Sequence, residues 1–383
     1  MAKKMDDREA RLKAICENIN KGTFGGEKHD AVTFLGNGEI IQMERFPSGC
    51  SSLDDALGGG WPKGRFVELF GAESGGKTTL VLQAIAEHQK KYPDEDVAFI
   101  DSEFAFDELY AKALGVDMRY LIVHQPDSGE QALNILSQLI HNDVKLIAVD
   151  SVAALTTKAE LEGDIGDVHV GQQARLMSQA LRRLVQESGS RNATVFWTNQ
   201  MRDKIGVMYG DKTTTPAGHA LKHYASIRVK VDRIGTVKEK IGGKDVAVCN
   251  KTKADVKKNK TAPPFRVVEF YITYGHGVDK AAAILDSALA YKVIVRRGSW
   301  FSMGDEQIAA GRLETLDRMR KDDELMQKVI AAVEEAKSKG VAPEPEKQDD
   351  EEVKFKKPKA GHKPEAKDPD AIESGEDTEV QDA

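Results

Sequence analysis

Cysteine is scarce in this chain of 383 residues, and Cys16, Cys50 and Cys249 stand too far apart to form a disulfide framework or a zinc site by spacing. No apolar run approaches the roughly 20 residues that a membrane helix requires. The first residues, Met1-Ala2-Lys3-Lys4-Met5-Asp6, lead into charged sequence with no apolar signal core. These absences argue against a secreted or membrane-spanning protein and predict residence in a reducing cytosol, hence a cytoplasmic location. Aromatics are only 6% of the residues, yet 40% are hydrophobic and 31% charged, the composition of a soluble globular protein. An excess of one charge is also missing from most of the chain. The formal charge of -7 arises beyond Pro343, where 14 acidic residues face 7 basic ones, so the body is about neutral. The acidic total therefore does not exclude nucleic acid as a partner.

What is present is an alternation. The runs Phe66-Val67-Glu68-Leu69-Phe70, Val97-Ala98-Phe99-Ile100, Leu146-Ile147-Ala148-Val149 and Thr194-Val195-Phe196-Trp197 are short and mostly apolar, as strands buried on both faces of a parallel sheet must be. Helical patterns lie between them at 78–91, at Ser128 to Ile140 with a Ser128-x-x-Gln131 capping spacing, and at Gln172 to Gln186. The order predicts an α/β domain with a mainly parallel central sheet. Ile227 to Ile234 and Val267 to Tyr274 are expected to extend it as antiparallel strands. Leu12, Ile15 and Ile19 form one face of a leader helix over residues 6–20, either a frayed end or an arm that docks on a neighbouring subunit. Residues 280–338 read as mostly helical, a small appended domain. Beyond Pro343 large apolar residues are nearly absent and disorder is expected.

Gly71-Ala72-Glu73-Ser74-Gly75-Gly76-Lys77-Thr78 fits the P-loop pattern, with a strand before it and a helix after. Glycines let successive N–H groups turn toward phosphate oxygens, and the helix N-terminus adds positive partial charge. Lys77 is then expected to neutralise the β- and γ-phosphates and the Thr78 hydroxyl to ligate Mg2+. Asp150, at the end of a buried run, supplies the second carboxylate on the metal side. Asp101 and Glu103 end another strand, where one carboxylate either holds an attacking water or solvates a loop. Asn199 and Gln200 place two amides at the same sheet edge, where an amide can sense the γ-phosphate. Two long glycine- and cation-bearing segments, Glu162 to Gly171 and Met201 to Gly218, suit either a single-stranded nucleic-acid backbone or plain surface loops.

With those blocks assembled, the chain resembles the bacterial-type RecA recombinase family over about residues 7–340. The blocks that carry the resemblance are Ser51 to Gly58, the P-loop with Glu73, Ala98 to Glu103, Val149 to Thr156, Asn199 to Met208, Ala220-Leu221-Lys222 and Lys258 to Phe265. The resemblance implies a RecA-like P-loop ATPase core at 41–278, preceded by an oligomerisation helix and linker at 1–40. It implies a small α/β DNA-gateway domain at 279–340 and a charged, autoinhibitory tail at 341–383. It implies ATP and Mg2+, with Gly71, Glu73, Ser74, Gly75, Gly76, Lys77, Thr78 and Thr79 around the phosphates. Glu103 takes the role of the water-activating glutamate, Gln200 that of the amide coupling γ-phosphate to DNA, and Asp107 and Tyr110 those of the adenine contacts. Lys258 and Lys260 look like the lysines that reach the neighbouring subunit's nucleotide, which makes the self-contact head-to-tail and helical. Loops 163–170 and 201–215 correspond to the DNA-binding loops. They bring Gly163, Gly166, His169, Val170, Met201, Arg202, Lys204, Met208, Tyr209, Thr214 and Thr215 toward single-stranded DNA that is paired with homologous duplex.

The chain also departs from the family. Ala217 in Pro216-Ala217-Gly218 replaces a usual glycine, His223 replaces a phenylalanine that signals between subunits, and Val170 replaces a common methionine. Lys238 to Ala254 is longer and richer in lysine where the family docks self-cleaving repressors. The leading reading is an ATP-dependent recombinase acting in recombinational DNA repair, with no membrane partner. Its rivals are a filament whose main task is promoting repressor cleavage, and a ring-forming helicase or clock-type ATPase.

Overall fold

The computed structural model describes residues 2–22, 43–164, 167, 169, 171–203, 213–216, 218–241, 244–339 and 341. The leader is a helix, α1 (Ala2–Gly22), with Leu12 half-buried and Ile15 exposed. The core opens with β1 (Arg45–Phe46), α2 (Ser51–Leu57) and β2 (Trp61–Pro62), followed by β3 (Phe66–Gly71), α3 (Lys77–Lys91) and β4 (Val97–Asp101). Next come α4 (Glu108–Ala113), β5 (Leu121–His124), α5 (Gly129–His141), β6 (Leu146–Asp150) and α6 (Lys158–Glu162). The long α7 (Gln172–Arg191) leads to β7 (Thr194–Gln200), the short pair β8 (Arg202–Asp203) and β9 (Thr213–Thr214), and α8 (Ala220–Tyr224). The strands β10 (Ile227–Ile241), β11 (Lys244–Asn259), β12 (Val267–Thr273) and β13 (Gly277–Val278) complete the core.

Nine strands form one sheet in the order β13-β12-β11-β10-β3-β7-β6-β4-β5. From β10 through β5 all neighbours are parallel; β11, β12 and β13 add on antiparallel. The expectation of two antiparallel additions is thus corrected: β10 runs parallel to β3 through Ile227–Lys230, and the reversal comes one strand later.

Strand alternation sends side chains to two cores. Val67, Leu69, Phe99 and Phe196 pack under α3 and α2, whereas Phe66, Ile100, Val149, Val195 and Trp197 pack under α5, α7 and α8. All four apolar runs lie on fully covered strands, which is why they lack a polar face. The capping pattern is realised: Ser128 Oγ accepts from Gln131 N at 3.2 Å, and Gln131 Oε1 accepts from Asp127 N. Such a cap stabilises α5 by about 1 kcal/mol.

The C-terminal region has its own core, around Leu285, Ile294, Phe301, Met319 and Val329. It is mostly helical, as expected, but it also holds three strands that the sequence did not announce. Between α9 (Lys280–Ala290) and the pair α10 (Arg312–Lys321) and α11 (Asp323–Ser338) stands an antiparallel sheet of β14 (Ile294–Arg297), β15 (Trp300–Met303) and β16 (Glu306–Ala310). No helix is long and apolar enough to cross a membrane among the described residues.

Candidate nucleotide and DNA site

The P-loop leaves the C-terminal end of β3 and wraps onto the first turn of α3. Its glycines answer to packing as well as to phosphate. A Cβ on Gly75 would lie 2.6 Å from the Val231 carbonyl oxygen of β10, and one on Gly76, at φ +99°, would lie 2.3 Å from Ile272 Cδ1. The loop is therefore pressed between β10, β12 and the ligand position, with only backbone on the inner side. Glu73 and Ser74 are exposed on its outer side. Lys77 folds back so that Nζ donates to the carbonyls of Ala72 at 2.7 Å and Gly71 at 3.2 Å. Burial lowers its pKa, against the pull of Asp150 and Glu103.

Thr78 and Asp150 meet where the first turn of α3 faces the end of β6. The Thr78 hydroxyl donates to Asp150 Oδ2 at 2.6 Å, and the Thr198 hydroxyl bonds Oδ1 of the same carboxylate. Burial pushes the Asp150 pKa up, opposed by these two hydroxyls. A buried carboxylate beside a hydroxyl is an oxygen donor pair suited to Mg2+, which takes one or two carboxylates and completes its shell with water and phosphate. No group of three or more histidine, cysteine or acidic side chains that could hold a metal ion exists among the described residues, so the donor set does not suit a dedicated protein cage.

The two acids at the end of β4 part company because the strand stops at Asp101 and Glu103 lies in the bend beyond it, outside the strand's alternation. Asp101 is buried and accepts from Phe106 N and from Gln125 Nε2, each at 3.0 Å, a structural role. Glu103 is exposed and faces the P-loop side: Ser151 Oγ and Gln200 Nε2 both donate to its Oε1, the latter at 3.3 Å. The two amides at the end of β7 also part company. Thr198 and Gln200 turn to the α3 face, while Asn199 turns to the other and donates to the buried Glu68 at 3.2 Å.

Asp107 is the N-cap of α4 and accepts from Tyr110 N at 3.0 Å. The Tyr110 hydroxyl lies 2.8 Å from Thr79 Oγ1, and its half-buried ring packs on the α3-side core. Both residues thus sit one shell outside the P-loop. Lys258 and Lys260 lie at the opposite side of the sheet, at the end of β11. Lys258 Nζ donates to the carbonyls of Lys222 at 2.7 Å and His223 at 2.9 Å, in the last turn of α8. The segment that follows is held by Asn259, whose Oδ1 accepts from Thr261 N and Ala262 N at 2.8 and 3.0 Å.

A RecA N-terminal domain family model matches residues 10–279 and a RecA C-terminal domain model matches residues 282–338. The chain belongs to the RecA family. Curated relatives named Protein RecA include that of Chloroherpeton thalassium, 45% identical over 86% of this chain and 90% of the relative. Those of a Nostoc species and of Cereibacter sphaeroides are 43% and 50% identical over 91% and 72% of this chain, and over 98% and 79% of theirs. As a RecA, the protein binds nucleotide and is a DNA-dependent ATPase with strand-exchange activity in recombination, repair and the SOS response. Single-stranded DNA, duplex DNA and further copies of itself are its partners in general.

The RecA loops are described in part. Gly163 ends α6 and lies against His169: a Cβ there would come 2.8 Å from Nε2, a nitrogen that is buried with no hydrogen-bond partner. Met201 is half-buried and Arg202 exposed. The β8–β9 ladder pairs Arg202 with Thr214, and Thr215 beyond it is buried. Gly166, Val170, Lys204, Met208 and Tyr209 lie outside the described residues, as do Ala217 and the lysine-rich tail. Both described loop ends converge on the first turns of α7, where a Cβ on Gly218 would lie 3.1 Å from the Ala174 Cβ. That helix contributes an open groove lined by Ala174, Arg175, Ser178, Gln179 and Arg182. Sequence reasoning missed these two arginines. The signal that was available is their i, i+7 spacing opposite the buried Met177, Leu181 and Leu184.

Proposed function

We propose that this RecA hydrolyses ATP·Mg2+ at a site completed by the next protomer, and that it polymerises head-to-tail on single-stranded DNA to drive strand exchange. The observation that carries the reading is the convergence of Thr78, Asp150, Glu103 and Gln200 on one sheet edge, with Lys258 and Lys260 held at the other side of the same sheet. Lys77 and the P-loop backbone bind the phosphates, Thr78 and Asp150 hold Mg2+, and Thr79, Asp107 and Tyr110 line the adenine side. When bound, Mg2+ would supply neutralisation of the charge on the phosphates. Glu103 accepts the proton of the attacking water and Gln200 senses the γ-phosphate. Lys258 and Lys260 have no phosphate within their own protomer's P-loop to serve, and reach the neighbour's.

The loops from Gly163 and Met201, with Arg175 and Arg182 of α7, grip the DNA backbone; Watson–Crick pairing then supplies sequence specificity. In this assignment 1–40 docks on the adjoining core, 41–278 is the ATPase, 279–340 guides duplex DNA and 341–383 competes with DNA for basic surface. The protein acts in the cytoplasm. Repressor docking belongs on the β10–β11 hairpin, which exposes Ile234, Val237 and Val246 among lysines. Strand exchange between a circular single strand and a homologous linear duplex tests the reading. Joint molecules should form with ATP and Mg2+ and not without nucleotide; exchange that is indifferent to nucleotide would refute it.

A further inference from the structure

Three consecutive residues of β7 each engage a different carboxylate: Thr198 bonds Asp150, Asn199 bonds Glu68, and Gln200 bonds Glu103. The outer two serve the nucleotide face. The middle one opens a separate network on the opposite face of the sheet.

Glu68 is a carboxylate in the middle of an apolar strand and is fully buried. A charge there needs pairing, and it has two partners drawn from the strands on either side. From β7, Asn199 Nδ2 donates to Oε1. From β10, Arg228 Nε donates to Oε2, and the Arg228 guanidinium also lies 4.4 Å from the centre of the Phe70 ring. Asn199 itself is fully buried, and its Oδ1 has no partner.

Arg228 in turn stands directly across the ladder from Lys258. Burial and the neighbouring Lys260 and Arg228 depress the Lys258 pKa, and Glu68 offsets them. The network thus ends at one flank beside Gln200 and at the other beside Lys258. The chain neighbour of Gln200, Asn199, and the ladder partner of Lys258, Arg228, thus share a single buried anion.

The geometry points to Asn199, Glu68 and Arg228 as positioning residues that couple the two nucleotide interfaces of one protomer, through Gln200 on one side and Lys258 on the other. This inference rests on the roles proposed above for Gln200 and Lys258. None of the three touches nucleotide. Moving Gln200 pulls on Asn199, and any shift of Glu68 must carry Arg228 with it, because neither charge tolerates burial alone.

The test uses full-length protein with Glu68→Gln, which removes the shared charge, and Asn199→Ala, which cuts only the link to β7 and leaves the ion pair. Both variants are expected to melt cooperatively and to bind a fluorescent ATP analogue without DNA within about twofold of the parent. DNA-stimulated kcat should fall about tenfold, and the Hill coefficient for ATP should fall toward one. In the parent, the effects of Gln200→Glu and Lys258→Arg on kcat should not multiply; in the Asn199→Ala background they should. If Glu68→Gln does not fold, Asn199→Ala decides alone. Parental kcat and Hill coefficient in the variants, or the same coupling in both backgrounds, would overturn the inference alone. Unchanged turnover in both single variants, Gln200→Glu and Lys258→Arg, would overturn the site reading and this inference with it.

Discussion

Gln200 donates to the same Glu103 oxygen, Oε1, that receives the Ser151 hydroxyl, at an amide-to-carboxylate distance of 3.3 Å. In the proposed mechanism these two bonds restrain the base, and a shift of Gln200 breaks one of them. Glu103→Ala should therefore lower DNA-stimulated hydrolysis by about 10²–10⁴-fold while leaving ATP-dependent filaments intact. Lys77→Ala should abolish hydrolysis. Steady-state turnover and electron micrographs of the same samples check both; parental turnover in the Glu103 variant would remove it from the chemistry.

Asp150 carries a second cost. Its pKa is raised by burial, so ionisation at neutral pH works against the folded state, and the penalty disappears as pH falls and the folded carboxyl protonates. Asp150→Asn should thus raise the melting temperature of nucleotide-free protein at neutral pH, and the difference from the parent should shrink on acidification. The same variant should lose the extra stabilisation that Mg2+ adds to bound ATP. Calorimetric scans with and without ATP and Mg2+ separate the two effects.

His88 sets an acid limit on the core. It is fully buried against Phe46 and Tyr92, with Nε2 2.9 Å from Glu95 Oε2 and with Lys63 bridging Glu95 and Glu44. Burial, then the Lys63 charge, lowers its pKa to about 3. The unfolded chain takes up this proton near pH 6.5 and the folded chain does not, so stability falls as pH drops from about 6.5 toward about 3. His88→Gln should flatten that limb of the denaturation midpoint plotted against pH.

Arg175 and Arg182 lie on the exposed face of α7 beside both loop ends. If each neutralises one phosphate, Arg175→Ala and Arg182→Ala should weaken binding to every single-stranded sequence alike. Each should also reduce the slope of log affinity against log salt by about one. Fluorescence anisotropy on poly-dT and mixed-sequence oligonucleotides across a salt series measures this.

The parts legible in the sequence are those whose chemistry is local. The P-loop, Asp150 and the four buried strands announce themselves because covered parallel strands are apolar throughout. The edge strand β5 was not legible, since its Ile122 and Val123 are exposed and no second face repeats the pattern. β11 escaped because lysines alternate along it, as on a strand with one solvated face, and β14 because two arginines end it. The division of Asn199 from Gln200 follows from the two-residue strand period and was readable in principle. The Glu68 network was not: its partners lie 131 and 160 residues away, and the single hint is a glutamate inside Phe66 to Phe70.

The claim on which the account turns is that each ATP is served by two protomers, and complementation tests it directly. Protein carrying Lys77→Ala and protein carrying both Lys258→Ala and Lys260→Ala should each be inactive in DNA-stimulated hydrolysis. Mixed in equal amounts on single-stranded DNA, they should regain activity, because about a quarter of the head-to-tail interfaces then join an intact P-loop to intact neighbouring lysines. A mixture as inactive as its components, with both variants shown to enter the same filaments, would contradict a shared site.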